Sequence, residues 1–181
     1  MKVVYIPIGF QGAGKTTFCQ WMQTHFPEMK YISLDRLQEI ARENGHPHIE
    51  GHLAMKDTLS LVREIRSENL SIILDSWVID RKFIELLQFI GFKVVCWSFK
   101  VPEATCLKRY RDREFPKIIK EMREDGIDSV NPNTIQESLF IFWTAANKTK
   151  QFPPKNIFDQ THLIFDEPLE ELDPHDFLFQ M

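Results

Sequence analysis

The chain has 181 residues, of which 43% are hydrophobic and 27% are charged, and its formal net charge is −4. With only 7 glycines and 10 prolines, this composition is that of a globular protein and excludes a disordered or collagen-like chain. The length favours a single domain over residues 1–181, and no apolar run approaches the ~18 residues that a membrane span needs. Three cysteines without a CxxC pair, and a start that does not resemble a signal peptide, predict a cytoplasmic protein with reduced thiols.

The net charge conceals two unlike segments. Residues 101–123 hold seven basic and four acidic side chains, whereas residues 166–181 hold six acidic ones and no lysine or arginine. Apolar side chains within this acidic tail predict that it packs on the domain or on a neighbour: Leu169, Leu172, Phe177, Leu178 and Phe179. A binding partner would therefore respond to the charge of one such segment rather than to the net charge of the chain.

The apolar runs and turn residues predict strands that alternate with helices along the chain. Strands are predicted at 2–8, 30–34, 70–74, 93–99 and 161–165, and helices at 16–25, 36–44, 52–69, 80–90 and from 102 onward. Strand–helix–strand units give parallel strands that are covered on both faces. The sequence thus predicts an α/β fold of the P-loop NTPase or kinase type, with about five parallel strands between helices and a helical lid at about 101–125.

The segment GFQGAGKT at residues 9–16 fits the P-loop pattern GxxxxGK[ST], with an apolar strand before it and a predicted helix after it. Backbone N–H groups of such a loop bind phosphate, Lys15 neutralises the β- and γ-phosphates, and Thr16 is placed to ligate Mg²⁺. The competing interpretation is a glycine-rich turn without a ligand. We predict that ATP and Mg²⁺ bind to the following residues: Gly9, Gln11, Gly12, Ala13, Gly14, Lys15, Thr16 and Thr17.

A P-loop alone does not distinguish kinases from GTPases and ATPases. A GTPase would need a base-reading NKxD motif, and residues 147–150 read NKTK without the aspartate. A long oligomerising ATPase module does not fit into 181 residues. We therefore expect a small kinase.

Two aspartates follow predicted strands, at the sheet edge where such folds bind ligands. Asp35 can accept the proton of an attacking hydroxyl during in-line transfer, although capping the next helix would also explain it. Asp75 ends a buried run as a Walker-B acid does and is a candidate Mg²⁺ ligand, the alternative being a turn-forming aspartate. Ser76, Trp77 and Arg81 are candidate acceptor contacts, with Trp77 able to stack on a base.

The basic segment carries two further candidates. On a helix beginning at Pro102, Arg109 and Arg113 are four residues apart, opposite a packing face formed by Ala104 and Leu107. Two guanidiniums on one stripe suit a lid that closes over ATP and stabilises the transferred phosphoryl group. A solvated charged face is the alternative.

Together these residues resemble the phage-type polynucleotide 5′-kinases, which transfer the γ-phosphoryl group of ATP to a 5′-hydroxyl of RNA or DNA. The resemblance covers residues 1–122 and rests on the strand leading into the P-loop, on Asp35, on the segment LSIILDS and on a VP…KR…R pattern. It implies that Asp35 is the general base and that Arg113 contacts the transferred phosphoryl group. Gln38 replaces the family's arginine for the acceptor's 3′-phosphate, with Arg36 nearby, so both are expected to contact the acceptor.

The sequence thus predicts that nucleic-acid 5′ ends are the substrate, and it leaves two alternatives open. One is a small-molecule kinase acting on a nucleoside, a nucleotide or a modified base. The other is a nucleotide-binding switch without transfer activity. The cluster His46, His48 and His52 is expected in an acceptor-side loop rather than at a metal site, and the sequence does not predict an oligomeric state.

Overall fold

A sheet of five parallel strands is seen in the computed structural model, which describes residues 2–33, 65–66, 71–75, 81–127, 131–148 and 155–180. The strands are β1 (Val3–Ile8), β2 (Lys30–Ser33), β3 (Ile72–Asp75), β4 (Lys93–Phe99) and β5 (Gln160–Ile164). Their order is β2-β3-β1-β4-β5, and each neighbouring pair is parallel. All five therefore end at the same edge, and the predicted α/β fold is confirmed.

The helices cover this sheet and extend beyond it. Within the described residues they are α1 (Lys15–His25), α2 (Arg81–Phe89), α3 (Glu103–Glu124) and α4 (Pro132–Lys148). Short 3₁₀ helices follow at Lys155–Ile157, Leu169–Glu171 and Pro174–Phe177. None of the helices in the described ranges is long and apolar enough to cross a bilayer. The helices predicted at 36–44 and over most of 52–69 lie outside these ranges, and α4 was not predicted from the sequence.

Two hydrophobic cores lie on opposite faces of the sheet, because successive side chains of a strand point to opposite faces. Tyr5 of β1 packs in one core with Phe18 and Met22 of α1. Val4 of β1 packs in the other core with Leu87 of α2. Burial on both faces explains why the central strands read as continuous apolar runs rather than as alternating patterns.

The acidic tail packs on the α1 side of the sheet. Phe177 is only 9% exposed, and its carbonyl oxygen accepts a 2.9 Å hydrogen bond from the indole N–H of Trp97. The Phe179 N–H donates to the Tyr5 hydroxyl oxygen at 3.2 Å. The expectation that the apolar side chains of the tail pack on the domain is confirmed.

Asp159 connects the start of β5 to its neighbours through three hydrogen bonds. Its carboxylate accepts from Lys93 Nζ at 2.8 Å, from the Val94 N–H at 2.8 Å and from Gln88 Nε2 at 3.2 Å. Burial raises the pKa of Asp159, but these hydrogen bonds lower the pKa by more, so that it lies below its usual value. The ionised carboxylate is therefore stabilised by folding.

Replacing Asp159 with alanine is expected to lower the free energy of unfolding at neutral pH by about 2 kcal/mol, because the Val94 N–H loses its carboxylate partner. Folding lowers the pKa of Asp159, so the higher unfolding free energy of the wild type is fully present at pH values above the pKa that Asp159 has in the unfolded chain. It disappears as the pH falls through the folded-state pKa. Urea denaturation of both proteins at several pH values measures this, with Glu170→Ala as an exposed control. Equal unfolding free energies at neutral pH would contradict the prediction.

Candidate active site

The P-loop connects β1 to α1 at the carboxyl end of the central strand. The Lys15 ammonium donates to the carbonyl oxygens of Gly9 at 3.0 Å and Phe10 at 2.8 Å, which closes the loop on itself. The Ala13 N–H also donates to the Phe10 carbonyl oxygen, at 3.2 Å. Gly14 has a left-handed φ of 87° and precedes α1 directly. The N–H groups of the first turn of α1, which lack partners within the helix, therefore lie at the loop.

A pocket of about 230 Å³ lies over this loop and brings together side chains from three separate segments. Lys15 and Thr16 come from the loop and α1, Asp75 comes from the end of β3, and Arg113 comes from α3. The remaining lining residues are Gln11, Gly12, Gly14 and Thr17. We refer to it as the P-loop pocket. It combines two cationic side chains with the oxygen donors of a hydroxyl and a carboxylate.

The charge of Lys15 depends on its surroundings. Burial lowers the pKa of the Lys15 ammonium below its usual value, and the negative charge of Asp75 opposes that shift. Additional negative charge in the pocket would favour the protonated form further. The pocket is thus suited electrostatically to an anion such as phosphate.

Asp75 reaches the P-loop because β3 lies next to β1 in the sheet. On its other side β3 pairs with β2, and the hydroxyl of Tyr31 in β2 donates to Asp75 Oδ2 at 2.8 Å. Burial raises the pKa of Tyr31, and the hydrogen bond to Asp75 raises it further, so the phenol keeps its proton. Tyr31 therefore orients the carboxylate, a role that only the strand order reveals.

The residues of the P-loop pocket fit a magnesium ion. The Thr16 hydroxyl and the Asp75 carboxylate both line it, and Mg²⁺ is bound through hard oxygen donors of this kind. The hydrogen bond from Tyr31 occupies Asp75 Oδ2 and thereby fixes the carboxylate plane.

The two arginines that the sequence predicts on a lid lie at different places. Arg113 lines the P-loop pocket, and its Nε donates to Glu114 Oε1 at 2.5 Å. Arg109 forms a 2.8 Å ion pair with Asp166, which follows β5. Arg109 lines a neighbouring pocket of about 290 Å³ that we call the side pocket. Its lining comes from the P-loop, α1, β4, α3 and the segment at the end of β5: Ala13, Gly14, Thr17, Phe18, Phe99, Arg109, Ile164, Phe165, Asp166, Glu167, Leu169 and Leu172.

The first turns of α3 pack against the P-loop itself. The buried residue of α3 is Cys106, whereas Ala104 is exposed, so the prediction that Ala104 lies on the packing face was wrong. Gly12 has a left-handed φ of +89°, and a Cβ at this position would lie 2.2 Å from the Cys106 carbonyl oxygen. Gly12, at a variable position of the motif, therefore lets the P-loop backbone approach the first turn of α3 closely.

The sequence profile of the AAA domain family matches residues 4–131, which is more than half of the chain. The chain belongs to the AAA domain family. No curated protein sequence matches it significantly.

Solved structures similar to this AAA domain include proteins described as kinases. A candidate kinase from Chloroflexus aurantiacus is 14% identical, with a TM-score of 0.57 over 97% of this chain and 94% of its own. A gluconokinase from Sinorhizobium meliloti is 12% identical, with a TM-score of 0.52 over 93% and 86%. A protein of the PezAT toxin–antitoxin system of Streptococcus pneumoniae is 20% identical, with a TM-score of 0.54 over 92% and 69%. At these identities the similarity establishes the α/β fold alone.

Of the residues predicted to contact the acceptor in this AAA domain, the structure describes Arg81, which does not line the P-loop pocket. Arg81 lies on α2, where its Nε forms a 2.7 Å ion pair with Glu85. Eight predicted residues lie outside the described ranges: Asp35, Arg36, Gln38, His46, His48, His52, Ser76 and Trp77. The roles assigned to these eight residues remain predictions from the sequence.

Proposed function

We propose that this chain transfers the γ-phosphoryl group of ATP to a hydroxyl acceptor. The observation that carries the proposal is the P-loop pocket, in which Lys15, Thr16, Asp75 and Arg113 meet. Phosphoryl transfer needs positioning of the phosphates and stabilisation of their charge, and this set supplies both. The P-loop pattern, the parallel sheet and the family membership support the same class of reaction.

Each side chain of the pocket has a role in this proposal. The Lys15 ammonium and the N–H groups at the start of α1 bind the β- and γ-phosphates. Thr16 and Asp75 hold Mg²⁺, which when bound neutralises charge on the phosphate oxygens. The hydrogen bond to Glu114 occupies one of the five N–H donors of Arg113. The other donors of the guanidinium can therefore bind the phosphoryl group during transfer.

The side pocket is proposed to hold the nucleoside part of ATP. Gly14 and Thr17 line both pockets, so the two adjoin at the start of α1. Phe18 and Leu172 give the side pocket an apolar lining, and the planar Arg109 guanidinium suits stacking on a base. This placement gives Arg109 a contact with the nucleoside and leaves Arg113 as the arginine nearest the phosphates.

The proposed acceptor is the 5′-hydroxyl end of RNA or DNA, with Asp35 as the general base. The support for it is the sequence pattern of the P-loop, Asp35, the β3 segment and the lid. Four basic side chains of α3 lie within 4 Å of an acid: Arg109 with Asp166, Arg113 and Lys117 with Glu114, and Lys120 with Glu124. These pairs reduce the positive charge that the lid presents, so a nucleic acid would be held near its end over few nucleotides.

Transfer from γ-labelled ATP with Mg²⁺ to parallel acceptors tests the proposal. The acceptors are 5′-hydroxyl RNA and DNA oligonucleotides, nucleosides and mononucleotides, with 5′-phosphorylated oligonucleotides as the control. We expect label at the 5′ ends of the oligonucleotides. The rate of transfer to them should fall as the salt concentration rises. Label on nucleosides or mononucleotides alone would contradict the nucleic-acid acceptor and identify a small-molecule kinase, while no transfer to any acceptor would contradict the phosphotransferase.

Replacing Asp35 with asparagine is expected to abolish transfer while leaving ATP binding nearly unchanged. Asparagine cannot accept the hydroxyl proton, but it caps a helix about as well as aspartate, so this change separates the two roles of Asp35. Transfer assays and ATP titrations of both proteins measure the effect. Retained turnover would reduce Asp35 to a helix cap.

A further inference from the structure

Helix α4 forms hydrogen bonds with both backbone groups of one P-loop residue, the N–H and the carbonyl oxygen of Gln11. Asn147 Oδ1 accepts from the Gln11 N–H at 3.1 Å, and the Trp143 indole N–H donates to the Gln11 carbonyl oxygen at 3.0 Å. Asn147 Nδ2 in turn donates to the Trp143 carbonyl oxygen at 2.7 Å, which fixes the orientation of the amide. Trp143 and Asn147 are 2% and 6% exposed. The hydrogen bond between Asn147 and Trp143 is buried, and the two to Gln11 are part-buried. Hydrogen bonds are stronger in such surroundings than in open water.

The same helix packs against the loop and the lid together. The Trp143 ring lies 5.8 Å from that of Phe10 in the P-loop, measured between centroids. Trp143 also shares a small hydrophobic core with Ala13 of the loop and with Val101 and Cys106 at the start of the lid. α4 therefore connects the loop that receives the phosphates to the segment that carries the lid arginines.

The chemistry at position 147 requires an amide. Asn147 must accept one hydrogen bond, from Gln11, and donate another, to Trp143. An aspartate would place an acceptor against the Trp143 carbonyl oxygen, and an apolar residue would leave the part-buried Gln11 N–H without this partner. The asparagine that begins the incomplete NKxD pattern thus has a different use, which is to hold the P-loop.

We propose that Trp143 and Asn147 are positioning residues, which hold the P-loop in the shape that accepts a triphosphate. The inference rests on the proposed function, because it assigns these residues a role in the same nucleotide site. A loop that is already ordered loses less conformational entropy when the ligand binds, so more of the interaction energy contributes to affinity. Without the two residues, that ordering must occur during binding.

Calorimetric titration with MgATP, without any acceptor, tests the proposal on the variant Asn147→Ala. The Kd for MgATP is expected to rise by about tenfold or more, which corresponds to about 1.4 kcal/mol. In the nucleotide-free protein, the Gln11 amide is expected to exchange its hydrogen faster than in the wild type. Trp143→Phe keeps a ring in place of the indole and lacks the N–H donor, so a smaller rise of about threefold is expected.

A matched control separates positioning from stability. Leu139 lies on the same helix and is 2% exposed, so Leu139→Ala is expected to destabilise the fold but to keep the Kd for MgATP within about twofold of the wild type. A wild-type Kd in folded Asn147→Ala would overturn the inference. If that variant does not fold, an unchanged Kd in Trp143→Phe would overturn it. A wild-type protein that binds no MgATP would overturn the proposed function as well.

Discussion

Replacing Lys15 with methionine is expected to lower the rate of phosphoryl transfer by at least ~100-fold. The change removes the ammonium that lines the P-loop pocket and keeps a side chain of similar length. Its two hydrogen bonds to the loop are lost, but so is the cost of burying a charge, and the protein is therefore expected to remain folded. Transfer rates at saturating acceptor, and the Kd for MgATP, measure the effect.

Lys117→Met is the control for this change. Lys117 lies on α3, where it pairs with Glu114 at 3.4 Å, and it does not line the P-loop pocket. This variant is expected to transfer at nearly the wild-type rate. Equal rates for Lys15→Met and Lys117→Met would show that the pocket is not where the phosphates bind.

Replacing Gly12 with alanine is expected to weaken MgATP binding by about 100-fold or more, equivalent to about 2.7 kcal/mol. An added Cβ would meet the Cys106 carbonyl oxygen at 2.2 Å, so either the loop or the first turn of α3 must move. The backbone at φ +89° also disfavours any side chain, which costs about 1–2 kcal/mol in addition. The change thus disturbs the P-loop and α3 at once.

Gly91→Ala supplies the matched control for Gly12→Ala. Gly91 has a similar φ of +96°, but no atom lies within 4 Å of a Cβ there, so this variant carries the backbone strain without the steric clash. The unfolding free energy of Gly12→Ala is expected to be lower than that of Gly91→Ala by about 1–3 kcal/mol. MgATP binding should be impaired only by Gly12→Ala. Equal stabilities for the two variants would contradict the close contact between Gly12 and α3.

The described strands could be predicted from the sequence because they are buried on both faces of the sheet and therefore form continuous apolar runs. The strands predicted at 93–99 and 2–8 match β4 and β1 to within one residue, and the predicted strand at 70–74 begins later, at Ile72. Helix α4 was missed although its buried hydrophobic residues, Ile135, Leu139 and Trp143, recur every fourth position. Exposed aromatic and aliphatic neighbours obscure that period, since Phe140 and Phe142 are 49% and 66% exposed.

The site was predictable where the chemistry is local in sequence. The P-loop pattern fixes Lys15 and Thr16, and the end of a buried strand fixes Asp75, all of which line one pocket. Tyr31 and Asn147 could not be found in this way, because their partners lie 44 and 136 residues away along the chain. Only the strand order and the packing of α4 bring such residues to the site.

Lid residues show the same limit. Helical periodicity placed Arg109 and Arg113 on one stripe, and both reach the region of the P-loop. Arg109 lines a different pocket from Arg113 because it pairs with Asp166, which follows β5. Helical periodicity within α3 does not depend on the segment after β5, so the different surroundings of the two arginines could not be predicted from it.

A crystal structure of the chain with Mg²⁺ and a non-hydrolysable ATP analogue tests the account most directly. The predicted result places the triphosphate in the P-loop pocket against Lys15, the metal between Thr16 and Asp75, and the base in the side pocket beside Arg109. Arg113 should lie closer to the γ-phosphate than Arg109 does. A triphosphate bound elsewhere, or bound in that pocket without contact to Lys15, would contradict the account.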